Sequence, residues 1–287
     1  MGQTPGMADR RHRDPQQALR RAVILAEEFR LGPRPPRADP DDPAGEDAPP
    51  GREPFRPGLD PDDVRAQIAV LAELGIREIC LVHAPGEPED LLARLVPADA
   101  EIRLTPVVEE QPKGTAHALA AAAETIGPER FLLLDAATGY PREALLALRE
   151  VPGAGVLGFD RAALAERSNL PEEVLRGAPV IAADSSWQLR NVIENPDGDT
   201  FACLGPEAPV ALGAWVFTAS VFEASTRIEP SVRGRFEILD AVRLLVCEGE
   251  PFAVVPVKAG VQVHDLAVEG LEDAEDASEA ELSPADR

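Results

Sequence analysis

The segment RRAVILAEEFRLG, residues 20–32, ends an apolar strand in two adjacent carboxylates, Glu27 and Glu28, followed by Phe29. At that end of a strand a glycine-rich turn would let backbone N–H groups close around a phosphate. Two glutamates there oppose one, at a cost of about 4 kcal/mol for each unit-charge pair ~4 Å apart. Asp135 closes the run FLLLDAA and reads as a strand-end residue or a helix cap, and Glu237 and Asp240 open the helical run RFEILDAVRLLVCEG. Gly114 and Thr115 start another helix, with Thr a good N-cap. Asp197-Gly198-Asp199 follows Pro196 between two apolar runs and reads as a turn. His117 lies in an alanine-rich helix and reads as packed, and no Ser-His-Asp or Cys-His pairing has local support. Cys80, Cys203 and Cys247 are too widely spaced for a zinc site or a disulfide framework and are read as buried free thiols.

The elements that position these residues follow from the apolar pattern. DPDDVRAQIAVLAELGI has Asp60 as N-cap, Pro61 at the first helical position and Gly75 as the stop, with Val64, Ile68 and Leu71 facing a core. REICLVH, EIRLTPVV, RFLLLDA, AGVLGF, PVALGAWVF and PFAVVPVKA read as strands, and EDLLARL, GTAHALAAAAETIG and PREALLALREV as helices. PVIAAD and WQLRNVIEN read as a hairpin. Apolar strands alternating with helices predict an α/β fold, a mostly parallel central sheet covered by helices on both faces with a small β-hairpin addition. Residues 1–19 read as a flexible arm, 20–266 as one domain and 267–287 as an acidic tail; within the domain, 33–58 is a Pro- and Asp-rich surface loop.

The chain has 287 residues and a formal net charge of -23, which argues against nucleic-acid or anionic-membrane partners. Its apolar runs are far shorter than the roughly 20 residues that cross a bilayer, and a cytoplasmic location is expected. Lys113 and Lys258 are its lysines, a bias that suggests a GC-rich genome and a salty cytoplasm.

In order along the chain, RAVILA, LAELGIREICLV, EEQPKGTAHALAAA, RFLLLDAA, VIENP, VALGAWVF and SVRGRFEILDAVRLLVCEGEPFAVVPV resemble the sugar-1-phosphate nucleotidyltransferases, from about Arg21 to Leu266. The resemblance implies a Rossmann-like nucleotide-diphospho-sugar transferase fold and a reaction that joins a nucleoside triphosphate to a sugar 1-phosphate with release of pyrophosphate.

The family's triphosphate loop, G-x-G-T-R, falls on Glu28, Arg30, Leu31 and Gly32, and none of its residue types is kept. The family's Q-x-x-G-T-A, which reads a pyrimidine base, matches Gln111, Gly114, Thr115 and Ala116. The Mg²⁺-binding G-D pair falls on Ala136 and Ala137, which leaves Asp135 two residues early and about 6.6 Å back along the strand. The second metal Asp falls on His264 or Asp265. On the sugar side the family's E-K-P keeps Glu194 but has Asn195 for the phosphate lysine, Gly213 matches the glycine beside the sugar, and Glu237 and Asp240 match two acidic positions.

Three functions are carried forward. The leading one is a degenerate, weakly active or non-catalytic member of NDP-sugar metabolism with a regulatory or structural role, which binds an NDP-sugar or a sugar phosphate and acts as a homo-oligomer or beside an active paralogue. The second is an active enzyme of the UTP-glucose-1-phosphate uridylyltransferase type, which would need Mg²⁺. The third is a glycosyltransferase on the same fold, with Asp197 and Asp199 as its metal motif.

Overall fold

Apolar runs of five or six residues build the centre of the molecule. The structure, a computed structural model, describes residues 19–26, 30–31, 58–87, 89–98, 100–205, 207–232 and 234–264. Its longer strands are, in chain order, β1 (Arg21–Ala26), β2 (Glu78–His83), β3 (Arg103–Val108), β4 (Phe131–Asp135), β5 (Ala154–Phe159), β6 (Val180–Ala183), β7 (Leu189–Ile193), β8 (Trp215–Phe217) and β9 (Phe252–Val257). The main sheet has the order β9-β5-β8-β4-β1-β2-β3, with β8 antiparallel to its neighbours and the other pairs parallel. β6 and β7 form the hairpin.

Register explains why the central strands are apolar on consecutive residues. Val23 pairs with Cys80 and Leu133, and Ile24 with Leu81 and Leu134, and alternate residues enter two different cores. On one face lie α1 (Pro61–Glu73), through Val64, Ile68 and Leu71, and a helix over Arg142–Arg149 through Leu145 and Leu148. On the other lie α2 (Thr115–Ala121), α3 (Ser220–Arg227) and α4 (Ile238–Cys247), around Phe131, Trp215, Phe217 and Phe252. Trp215 stacks on Phe217 at 5.6 Å between ring centroids.

Helix α1 begins as its sequence dictates: the Asp60 side chain accepts from Asp62 N, Pro61 is the first helical residue, and Gly75 has φ +83 at the stop. Three expectations are corrected. The run GTAHALAAAAETIG breaks at Ala122, whose N–H bonds to Leu119 O, an i−3 closure that tightens the last turn of α2. In PVALGAWVF only Trp215–Phe217 forms a strand, because Gly213 takes φ +76 and interrupts it. Cys80 is buried, and burial pushes its thiol up to about 12, but Cys203 and Cys247 are exposed near the ends of surface helices.

Two short pairings fix the rim of the sheet. Arg30–Leu31 lies parallel to Gly58–Leu59, which ties together the two ends of the Pro-rich segment. Thr138–Gly139 lies antiparallel to Gln262–Val263. Residues 33–57, the arm before Leu19 and the tail 267–287 lie outside the described residues. Among the described residues no helix is long and apolar enough to cross a membrane.

Candidate functional site

The chain leaves β1 toward β2 on one side and later enters β4 on the other, so the carboxyl ends of β1 and β4 flank the point where strand order reverses. In open α/β sheets that crevice is where ligands bind. Glu27 and Glu28 lie outside the described residues, and Asp135 is at the end of β4.

Asp135 faces inward to its own turn. Its Oδ1 accepts from Ala137 N at 2.8 Å and from the Thr138 hydroxyl at 3.4 Å. Gln67, buried on α1, donates its amide to the carbonyls of Asp135 and Thr138, both at 2.9 Å, and so locks the same turn from below. Burial raises the pKa of Asp135 above the ordinary carboxylate value, while the Ala137 and Thr138 bonds act in the opposite direction. Gly213 sits against this turn: a β-carbon there would stand 3.0 Å from Asp135 Cβ and 3.1 Å from Tyr140 Oη. The Tyr140 hydroxyl donates to Leu212 O at 2.6 Å, and burial, followed by the nearby Asp135 charge, raises its pKa well above that of a free phenol.

The segment assigned to the second metal carboxylate reaches the same place. His264 N donates to Ala137 O at 2.7 Å, and the His264 imidazole pairs with Asp63 of α1 at 3.0 Å. Asp265 lies outside the described residues. Among the described residues no group of three or more His, Cys, Asp or Glu side chains could hold a metal ion. A Mg²⁺ ion of the implied kind finds Ala136 and Ala137 without oxygen ligands and Asp135 with Oδ1 already bound to two protein donors, so the described residues do not fit it.

The segment that resembles the family's base-reading motif is bound into the fold differently. Glu109 is buried after β3, where its Oε1 accepts from Lys113 N at 3.2 Å and pairs with His117 Nδ1. His117 is therefore a half-exposed partner of Glu109 and not a packed core residue. Gln111 is exposed on the loop between them. Gly114 has φ +110, and the Phe236 carbonyl oxygen lies 2.5 Å from where its β-carbon would be. Two backbone bonds close this contact, Ala116 N to Phe236 O at 2.9 Å and Phe236 N to Lys113 O at 2.7 Å. The N-cap of α2 is Gly114, with no side-chain bond. The Thr115 hydroxyl instead serves α4: it accepts from Ile238 N at 2.9 Å and donates to Glu237 Oε2 at 3.2 Å.

At the position that the resemblance assigns to the sugar, Glu194 directly follows the hairpin, and Asn195 turns the chain with φ +45. Arg243 of α4 bonds Glu194 Oε2 at 2.9 Å, Asp240 Oδ1 at 2.5 Å and Val192 O at 2.9 Å. Glu237 pairs with Arg235 at 3.3 Å. Asp197 caps the helix Gly198–Leu204, accepting from Thr200 N at 2.8 Å and Thr200 Oγ1 at 2.7 Å. The Thr200 bonds lower its pKa. The expected turn at 197–199 is thus the capped start of a helix.

The arrangement joins Gly213 to Asp135, and joins Thr115 through Glu237 and the first turn of α4 to Arg243 and Glu194. Arg243, Gln67 and Glu109 were missed in the sequence. Asp240 and Arg243 are spaced for a helical ion pair, a usable signal. Gln67 reaches residues 68 and 71 positions away, which no local pattern reports.

The nucleotidyl transferase family profile matches residues 64–259, more than half of the chain. The chain belongs to the nucleotidyl transferase family. Over 180 residues it is 29% identical to the low-salt glycan biosynthesis nucleotidyltransferase Agl11 of Haloferax volcanii, a match covering 62% of this chain and 47% of that protein. The chain thus spans about half the length of that curated relative. Two solved structures share the fold. Inositol-1-phosphate CTP transferase from T. maritima has a TM-score of 0.61 at 16% identity, over 91% of this chain and 95% of the other. UDP-glucose pyrophosphorylase complexed with UDP-glucose has a TM-score of 0.55 at 14% identity, over 91% and 98%. The nucleotidyl transferase match begins at Val64, beyond β1 and the segment 27–32 onto which the sequence resemblance places the family's triphosphate loop.

Proposed function

We propose that this nucleotidyl transferase binds an NDP-sugar and has lost or much weakened catalysis, and that it acts in NDP-sugar metabolism as a regulatory or structural protein, as a homo-oligomer or beside an active paralogue. The observation that carries this reading is the commitment of Asp135. The carboxylate nearest the family's metal position closes its own turn, and alanines occupy the two positions where the family binds the ion. Together with Glu27 and Glu28 in place of a phosphate loop, this removes both means of stabilising a leaving pyrophosphate.

What remains suits a product more than a triphosphate. The exposed Gln111 amide is available to a pyrimidine edge, and Glu194 can accept from sugar hydroxyls. Gly213 keeps the residue type that the family has beside the sugar, although here Asp135 and Tyr140 fill the space a β-carbon would take.

One observation favours a second reading, an active nucleotidyltransferase with a rearranged phosphate site that uses Mg²⁺. The His264 N to Ala137 O bond delivers the C-terminal segment, with Asp265 next in sequence, to the end of β4. The glycosyltransferase reading has less support, since Asp197 spends its Oδ1 on Thr200. Pyrophosphate release across several triphosphates and sugar 1-phosphates with Mg²⁺ separates these readings: no release above background is expected, and turnover by the unaltered chain would overturn the proposal.

A further inference from the structure

Each nitrogen of the Arg243 guanidinium makes one hydrogen bond, and two of the three hold the end of the hairpin at Glu194. Nε donates to Val192 O and Nη2 to Glu194 Oε2, both at 2.9 Å, while Nη1 bonds Asp240 Oδ1 at 2.5 Å. Val192 and Glu194 are two residues apart at the end of the hairpin, so the planar fork grips a backbone carbonyl and a carboxylate in one orientation. An ammonium group has no such fixed geometry. Glu194 has need of a hold, because the chain turns immediately after it at Asn195, φ +45, and Asn195 brings an amide in place of a cation. The cluster sets one guanidinium against two carboxylates and stays net acidic. Its chemistry suits hydroxyl donors and disfavours a phosphate.

We propose that Arg243 is a positioning residue of the sugar subsite, fixing Glu194 so that its carboxylate meets the hydroxyls of a neutral sugar ring. This deepens the NDP-sugar reading and rests on it. Arg243 also belongs to the same helix whose first turn is capped by Thr115 of the base-reading segment, so base and sugar contacts share one rigid element.

The test compares UDP-glucose and dTDP-glucose with UDP and dTDP by calorimetry, on the full chain and on Arg243→Met and Arg243→Lys, with thermal melts to verify folding. Arg243→Met is expected to weaken the NDP-sugars about five- to tenfold while leaving the nucleoside diphosphates within about twofold, since one charged hydrogen-bonded contact is disturbed. Arg243→Lys should recover part of the loss. Equal NDP-sugar binding by the parent and Arg243→Met would overturn the role of Arg243 alone, as would an equal loss for sugar-bearing and sugar-free ligands. If the unaltered chain binds neither NDP-sugar, the underlying reading fails and this inference falls with it.

Discussion

The carbonyl oxygen of Phe236 lies 2.5 Å from the point a β-carbon on residue 114 would occupy, so the two backbones meet at a distance that only glycine allows. Gly114 thus has a structural reason to be glycine besides any contact with a base. Its φ of +110 adds a second constraint, since L side chains rarely adopt it. Gly114→Ala is expected to cost at least about 2 kcal/mol in denaturant unfolding. Gly153→Ala, where a β-carbon meets nothing within 4 Å, is the control and should change stability by less than about 0.5 kcal/mol.

Thr115 caps a helix that begins 123 positions later in the chain. Thr115→Val keeps the shape and removes the hydroxyl, leaving Ile238 N without its acceptor and Glu237 Oε2 without the Thr115 donor. A loss of about 1 kcal/mol is expected, with Thr115→Ser near the parent. Equal melting temperatures for all three would show that the cap contributes nothing.

Burial raises the folded-state pKa of Asp135 above its unfolded value, so its contribution is fully present at low pH and is lost as pH rises through the folded value. Asn at this position keeps an acceptor for Ala137 N and Thr138 without ever ionising. Asp135→Asn should therefore gain on the parent as pH rises through the folded-state pKa of Asp135, and the gap should narrow as pH falls and the parent takes up its proton. A gap independent of pH would mean that burial does not shift the titration of Asp135.

The fold was readable where burial repeats on a local period. Val64, Ile68 and Leu71 lie on one helix face, and the four apolar residues before Asp135 have both sides of the sheet to fill. Helix α3 was not read, because SVFEASTR mixes one small apolar stripe with polar residues over barely two turns. Site contacts were less readable still. The residue types at Gln111, Gly114, Glu194 and Gly213 could be matched by resemblance, but their partners could not. Phe236, Gln67 and Arg243 act across long sequence separations, and their roles depend on packing between layers. Asp135 was open to two readings in the sequence, and its turn bonds are those of a strand-end residue.

A net charge of -23 on 287 residues makes self-repulsion a standing cost of the folded state. The Debye length falls from about 30 Å at ~0.01 M salt to about 3 Å at ~1 M, so added KCl removes most of that repulsion. The melting temperature is expected to climb over this range and to do so with NaCl as with KCl. A flat response would show that the carboxylates are already neutralised by neighbours such as Arg227 beside Glu248.

The remaining prediction concerns what the site prefers to hold. In the pose that the family resemblance implies, an NTP would place its β- and γ-phosphates at the loop after Ala26, where the sequence has Glu27 and Glu28 and where the family profile finds no match. In the proposed reading an NDP-sugar would carry its two phosphates toward Glu194 and Gly213, away from that loop. Calorimetry should therefore find UTP and dTTP weaker than about 1 mM, a binding free energy no better than about -4 kcal/mol, with or without Mg²⁺. NDP-sugar binding should exceed it. Gln111→Ala should weaken the NDP-sugar several-fold, as expected for a hydrogen bond contributing about 0.5–1.5 kcal/mol. Asp135→Ala should leave that affinity nearly unchanged once the variant is shown to fold, because the proposal has Asp135 closing its own turn and not holding an ion. Mg²⁺-dependent binding of UTP at micromolar concentration, abolished by Asp135→Ala, would reverse the order and make the active enzyme the better reading.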